Sequence, residues 1–140
     1  MMIKGVSHIG IAVENLENAI ELYGKLFSRE SSAPESFGEL RFSFISLGNA
    51  DVELLESTAP GGVMRKFIDK RGEGVHHLSF EVEDIYAELA ELKAKGVQLI
   101  HEKPYLNAHK DLVAFINPKS AGGVLVELIQ YMDKKEFAEK

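Results

Sequence analysis

The chain of 140 residues carries an internal repeat, which restricts its fold more than any other feature of the sequence. An offset of 69 residues aligns SHIGIAVENL, beginning at Ser7, with HHLSFEVEDI, beginning at His76. A second offset of 74 residues aligns GNADVELLE, beginning at Gly48, with GGVLVELIQ, beginning at Gly122. A small difference in loop length accounts for the two offsets. The repeat predicts a fold built from two copies of one supersecondary unit.

The first copy has the pattern of a strand, a helix and further strands. Alternating residues predict a strand at 5–13, and Asn15 is suited to cap a helix that follows it. The apolar positions of this helix recur on one face and are Leu16, Ala19, Ile20, Tyr23 and Phe27. A Ser/Pro/Gly-rich loop at 31–38 precedes strands at 39–47 and 51–56.

The second copy repeats this order. A strand is predicted at 75–82, and Asp84 is suited to cap a helix that Gly96 closes. The apolar face of that helix consists of Ile85, Leu89 and Leu92. Further strands are predicted near 97–100, at 111–117 and at 123–131.

The elements predict an α+β fold in which two βαβββ modules form a curved, mixed, mostly antiparallel sheet around a cleft, with helices outside. We expect one domain over residues 1–140, a length that suits a single core. Module one covers about 3–56 and module two about 74–131. A link at 57–73 contains a short helix, and a polar tail occupies 132–140.

The composition excludes several classes of partner. The formal net charge is -6 at pH 7, which disfavours nucleic acid. The chain has no cysteine, so disulfides and thiolate metal sites are excluded. No apolar run approaches the roughly 20 residues that cross a bilayer, and the N-terminal residues lack the apolar core of a signal peptide. We therefore expect a cytoplasmic protein with no membrane or nucleic-acid partner.

Four residues at matching places indicate a metal site. His8 and His77 share one place on the first strand of each module, and Glu53 and Glu127 share one place on the last strand. A single histidine or glutamate in a strand is more often structural, but recurrence in both modules favours a common role. Two inward carboxylates would also be costly to bury without a cation. Two imidazoles and two carboxylates suit one divalent ion, such as Co, Mn, Ni, Zn or Fe, with two positions left open.

The other histidines are predicted to have different roles. His76 has the opposite strand parity to His77, so we expect it on the outer face or in contact with a ligand. His101 has no counterpart in the repeat and is expected at the surface. His109 lies in a loop that is expected to reach the active site, where it could touch substrate.

Four segments carry a family resemblance, and together they span nearly the whole chain: SHIGIAVENLENAIELY, LGNADVELLE, FIDKRGEGVHHLSFEVEDI and FINPKSAGGVLVELIQ. They resemble the vicinal oxygen chelate superfamily, also called the glyoxalase/bleomycin-resistance fold, and within it the methylmalonyl-CoA epimerases. The pieces KFIDKRGEGVHH and AFINPKSAGGVLVEL are the most specific to the epimerase branch. The resemblance implies a metal-dependent isomerase that epimerises methylmalonyl-CoA by proton transfer through a metal-stabilised enolate.

The resemblance also implies roles for individual residues. The ligands of one divalent metal ion would be His8, Glu53, His77 and Glu127. Two carboxylates would act as acid and base on opposite faces of the substrate, and one of them would be Glu127. The segment PESFGELRF departs from the family pattern, so the second carboxylate would be either Glu35 or Glu39.

The implied substrate is an acyl-CoA or another thioester. Its tail would run along the rim of the cleft, where Lys119 and His109 are candidate substrate contacts. Three further basic residues are candidate phosphate contacts, namely Lys110, Arg65 and Lys66. Members of the superfamily are often homodimers, so a homodimer is expected.

Three alternative functions compete with epimerisation. A lactoylglutathione lyase (glyoxalase I) would use the same four ligands and a similar proton transfer. A non-haem iron dioxygenase would need only His8, His77 and Glu127, but Glu53 would fill a position that oxygen requires. A non-catalytic protein that sequesters a small molecule would lack the metal set.

Overall fold

The computed structural model describes residues 3–132 of the chain. The elements run in the order β1 Ile3–Ala12, α1 Leu16–Phe27, β2 Glu35–Phe37, β3 Leu40–Ser46, β4 Asp51–Ser57, α2 Val63–Arg71, β5 Gly74–Val82, α3 Ile85–Ala94, β6 Tyr105–Leu106, β7 Leu112–Ile116, a 3-10 turn Pro118–Ser120 and β8 Val126–Gln130. Apart from α2 and the 3-10 turn, this is the βαβββ order twice. The predicted α+β class and the predicted link helix are therefore confirmed.

The strands form one eight-stranded sheet in the order β2-β3-β4-β1-β5-β8-β7-β6. β1 and β4 are parallel, whereas β2 with β3, β3 with β4, β6 with β7 and β7 with β8 are antiparallel. The sheet is mixed and mostly antiparallel, as predicted. No helix among residues 3–132 is long and apolar enough to span a membrane.

The chain folds into two compact units, and the first is Val6–Leu78. Its helix α1 begins where predicted, because the Asn15 side chain accepts a hydrogen bond from the Asn18 amide at 2.9 Å. The apolar face of α1 packs on β3 and β4. The buried members of this core are Val13, Leu16, Ala19, Ile45, Val52 and Leu54.

Among the described residues, the second unit contains 79–132 together with the first residues of β1. The Asp84 side chain caps α3 by accepting from the Ala87 amide at 3.1 Å. Gly96 ends the helix with a φ of +86°, which a residue with a Cβ rarely adopts. The buried members of this core are Val82, Ile85, Leu89, Ala114, Ile116 and Leu128.

The repeat also includes a hydrogen bond between the first amide of each helix and a side chain on the last strand of its module. The Leu16 amide donates to Glu56 Oε2 at 2.8 Å, and the Ile85 amide donates to Gln130 Oε1 at 2.9 Å. The acceptors hold equivalent places in the repeat, as do the donors. Each side chain thus satisfies an amide that the helix itself leaves without a partner.

Two details of the predicted strands are wrong. Residues 97–100 form only an isolated bridge between Leu99 and Ile116, and the second strand of module two is Tyr105–Leu106 instead. The Ile100 and His101 amides both approach the Phe115 carbonyl, so a regular ladder cannot continue there. In module one, Glu35–Phe37 forms a short strand inside the predicted loop, because the following turn lets it fold back on β3.

The predicted domain boundaries stay predictions. The link helix lies in the same compact unit as module one, and the boundary between the two units falls within β5. Apart from Met132, the predicted polar tail lies outside the described residues.

Candidate metal centre

Consecutive strands of the sheet carry the four predicted ligands. In the strand order, β4 carries Glu53, β1 carries His8, β5 carries His77 and β8 carries Glu127. The two histidines therefore lie on the two central strands of these four, and the two carboxylates lie on the flanking strands. The sequence could pair these residues by type but could not place them on neighbouring strands.

Three of these side chains converge within the unit Val6–Leu78. The Nε2 atoms of His8 and His77 are 3.2 Å apart. Glu53 Oε1 lies 3.4 Å from His8 Nε2 and 3.7 Å from His77 Nε2. Both histidines are buried, and the Glu53 side chain is only 13% exposed.

Glu127, the fourth predicted ligand, lies on β8 of the second unit and is also buried. His8, His77 and Glu53 form a His-His-Glu cluster that could hold a metal ion. If both imidazoles are neutral and protonated on Nδ1, their two Nε2 lone pairs face a carboxylate oxygen, and a cation would stabilise that arrangement. The donor set fits a divalent ion.

Gly10 makes room for one of the ligands. A Cβ built on Gly10 would lie 2.2 Å from Cε1 and 2.7 Å from Nε2 of His77. Gly10 is also the register partner of Glu53 across β1 and β4. Sequence reasoning missed this residue, although its repeat counterpart Ser79 is also small and fully buried.

His76 contacts His77, one of the predicted ligands. Its Nδ1 lies 3.0 Å from Nδ1 of His77, and its ring packs edge-on against Phe67 with 5.0 Å between centroids. His76 is half-buried. The prediction that it either faces outward or supports a ligand is thus narrowed to the second alternative.

The structure separates the two candidates for the second acid or base. Glu35 pairs with Phe42 in the β2–β3 register, and Phe44 pairs with Glu53 across β3 and β4. Residues opposite each other, and residues two apart in one strand, share a face of a sheet. Glu35 therefore lies on the face of Glu53. Glu39 instead lies in the turn between β2 and β3, where its side chain is exposed and its carbonyl accepts from Thr58.

Tyr105 is a further residue that sequence reasoning missed. It pairs with Val113 across β6 and β7, and Phe115, two residues on, pairs with Glu127. The register therefore places Tyr105 on the face of Glu127. Burial raises the pKa of the Tyr105 phenol, and the negative charge of Glu127 raises it further. No pattern in the sequence marked this tyrosine, because its strand was not predicted.

The prediction that His101 is a surface residue is wrong. Its Nδ1 accepts a hydrogen bond from the Phe115 amide at 3.0 Å, and its ring packs against Tyr105 with 4.9 Å between centroids. His101 is half-buried, and its ring gives the Phe115 amide the hydrogen-bond acceptor that a strand at 97–100 would otherwise provide.

The candidate substrate contacts lie in exposed segments. Lys119 is in the 3-10 turn and His109 in the loop before β7, and both are exposed. Lys110 and Lys66 are also exposed, whereas Arg65 is held in ion pairs with Glu14 and Asp69. These substrate roles stay predictions.

Comparisons with known proteins agree on one family. The model of the Glyoxalase/Bleomycin resistance protein/Dioxygenase superfamily matches residues 7–115. An ethylmalonyl-CoA/methylmalonyl-CoA epimerase of Cereibacter sphaeroides is 36% identical over 133 residues, which cover 92% of this chain and 99% of the relative. The crystal structure of a methylmalonyl-CoA epimerase from Mycobacterium tuberculosis is 32% identical and superposes with a TM-score of 0.90, covering 96% of this chain and 93% of that chain.

Two further relatives bear on the substrate. A methylmalonyl-CoA epimerase solved in complex with methylmalonyl-CoA and NH4+ has a TM-score of 0.86 at 29% identity, covering 92% of this chain and 95% of that chain. A probable lactoylglutathione lyase of Synechocystis is 26% identical over 134 residues, covering 92% of this chain and 97% of the relative. The lyase is the less similar of the two kinds of enzyme.

Proposed function

The chain belongs to the glyoxalase/bleomycin resistance protein/dioxygenase superfamily, and we propose that it is an isomerase that epimerises methylmalonyl-CoA. The observation that carries the proposal is the convergence of His8, His77 and Glu53 within 3.7 Å in a chain that is 36% identical to an ethylmalonyl-CoA/methylmalonyl-CoA epimerase. A non-catalytic relative would have no reason to bury this donor set. The similarity to the epimerases exceeds that to the lyase, which favours the acyl-CoA substrate.

We propose that these three side chains and Glu127 hold one divalent ion, namely Co, Mn, Ni or Zn. The donor set of two imidazoles and two carboxylates suits any of these ions. A bound ion would supply positive charge that stabilises the negative charge developing on the thioester oxygen. The residues of the chain would then hold and move the proton.

Glu35 and Glu127 are the proposed acid and base. The reaction breaks one C–H bond at the carbon between the thioester and the carboxylate, leaves the electron pair in the enolate, and forms a C–H bond on the opposite face. One carboxylate must therefore accept a proton on one side, and the other must deliver a proton on the other side. Glu35 lies on β2, on the sheet face of Glu53, and Glu127 lies on β8, so each module supplies one of the two proposed carboxylates.

Isotope exchange tests these roles. In D2O, cobalt-loaded protein is expected to invert methylmalonyl-CoA and to incorporate deuterium at the inverted carbon. Glu35→Gln and Glu127→Gln should each reduce turnover by about 10²–10⁴-fold, the usual contribution of a positioned acid or base. Glu39→Gln serves as the matched control, because that carboxylate is exposed in a turn, and it should retain activity.

Two results would contradict the proposal. Full turnover in both the Glu35 and Glu127 variants would remove the two-carboxylate mechanism. Turnover of the hemithioacetal of methylglyoxal and glutathione, with none of methylmalonyl-CoA, would assign the chain to the lyase reaction instead.

The remaining expectations form part of the same proposal. We expect Lys119 and His109 to contact the acyl-CoA, the chain to form a homodimer, and the enzyme to act in the cytoplasm. Loss of affinity for the CoA substrate in Lys119→Ala, with turnover retained, would support the first of these. Sedimentation of the purified protein would test the second.

A further inference from the structure

The residue before each ligand histidine contacts that histidine at the same ring atom. Ser7 Oγ lies 2.9 Å from Nδ1 of His8, and His76 Nδ1 lies 3.0 Å from Nδ1 of His77. Ser7 and His76 are equivalent positions in the repeat, just as the two ligands are. The duplication therefore extends beyond the ligands to a residue that supports each of them.

The Nε2 atoms face the centre of the cluster, and the Nδ1 atoms face these supporting residues. The two Nε2 atoms are 3.2 Å apart, and both lie within 3.7 Å of Glu53 Oε1. A neutral imidazole carries one proton, and the nitrogen that binds a metal must be the other one. Coordination through Nε2 therefore requires a proton on Nδ1 and an acceptor for that proton.

We propose that Ser7 and His76 are positioning residues that accept the Nδ1 proton of the following histidine and so direct both Nε2 lone pairs at one ion. The inference rests on the proposed metal centre. The Ser7 hydroxyl can accept directly, whereas His76 can accept only as the tautomer that carries its own proton on Nε2. Residues that hold the second nitrogen of a ligand histidine commonly fix both its tautomer and its orientation.

His76 is itself held by the link helix. Its ring packs edge-on against Phe67 of α2, and the Arg71 guanidinium lies 5.8 Å from the centre of the Phe67 ring. This packing orients the His76 ring, so its Nδ1 is in place before a metal binds. The adjacent histidines thus have different roles. His77 is a ligand, and His76 determines that Nε2 of His77 is the nitrogen that faces the metal.

Two substitutions at one position separate hydrogen bonding from packing. His76→Asn keeps an acceptor near the place of Nδ1, whereas His76→Phe keeps the aromatic contact with Phe67 and loses the acceptor. Calorimetric titration with Co2+ should show affinity about 10- to 100-fold weaker for His76→Phe, the range for removing such a partner. His76→Asn should bind more tightly than His76→Phe and close to wild type. Ser7→Ala should weaken binding in the same direction.

A spectroscopic measurement on wild-type protein tests the tautomer directly. Nitrogen-15 spectra of histidine-labelled, zinc-loaded protein should show His76 with its proton on Nε2 and an unprotonated Nδ1 that accepts a hydrogen bond. A His76 proton on Nδ1, or equal cobalt affinity for His76→Phe and wild type, would overturn the inference. Wild-type protein that binds no cobalt at all would instead count against the proposed metal centre. Should His76→Phe fail to fold, wild-type affinity in Ser7→Ala together with a His76 proton on Nδ1 would overturn it equally.

Discussion

Replacing Gly10 by alanine should displace His77, a proposed metal ligand, without placing any atom at the metal position. An ideal Cβ at this position lies 2.2 Å from Cε1, 2.5 Å from Nδ1 and 2.7 Å from Nε2 of His77, and ordinary contact begins at 3.4 Å. The imidazole must therefore retreat by about 1.2 Å, the difference between 3.4 and 2.2 Å. The φ of Gly10 is not positive, so the backbone itself accepts alanine.

A movement of this size exceeds what a metal site tolerates. Functional side chains need to stay within about 0.5 Å of their productive positions. We expect cobalt affinity to fall by at least about 10- to 100-fold, since losing the orientation of a ligand costs no less than losing its support. Overpacking should also destabilise the fold by about 1–3 kcal/mol. The entropic gain from replacing glycine, about 0.4–1 kcal/mol, offsets only part of that cost.

Calorimetric cobalt titration and urea unfolding of the metal-free protein measure the two effects. Gly61→Ala is the matched control, because a Cβ there meets no atom within 4 Å and the residue has no positive φ. In a His77→Ala background, Gly10→Ala should no longer destabilise the protein, because the clashing ring is gone. Unchanged affinity and stability in the single variant, or an undiminished cost in the double variant, would refute the steric reasoning.

Three further predictions concern other parts of the chain. Glu56→Ala should lower the free energy of unfolding by about 1–2 kcal/mol in urea titrations, because the Leu16 amide loses its carboxylate partner and Arg41 loses one of its two. In metal-free Glu127→Gln, the pKa of Tyr105 should fall but stay above 10.0, because burial raises this pKa more than the charge of Glu127 does. The absorbance of the phenolate as a function of pH measures this pKa. The hydrogen bond with Arg41 is the largest cause that lowers the pKa of Glu17 from 4.5. The ionised Glu17 therefore stabilises the fold above pH 4.5, and this stabilisation is lost as the pH falls below that value. In Glu17→Gln, the free energy of unfolding measured in urea should fall less steeply as the pH is lowered.

The register of the strands explains how much of the acid–base assignment the sequence could supply. Counting along the chain left Glu35 and Glu39 as equal alternatives. The structure places Glu39 in a turn and Glu35 on a strand that pairs with β3. Glu35 and Glu39 are four residues apart and would share a face in an unbroken strand, but a turn of two residues removes Glu39 from that face. Parity predicts a face only where the strand continues, and the sequence did not show where β2 ends.

The sequence by itself determined the duplicated βαβββ order and the two helix caps, and it paired the four candidate ligand positions. These are local patterns, or patterns repeated at a fixed offset, and a linear chain displays both kinds directly. Only the tertiary structure decided which atoms meet: the 3.2 Å approach of His8 and His77, the space above Gly10, and the position of Tyr105 on the face of Glu127. Such contacts join residues far apart in sequence, so they depend on strand order and register, which packing sets and composition does not encode.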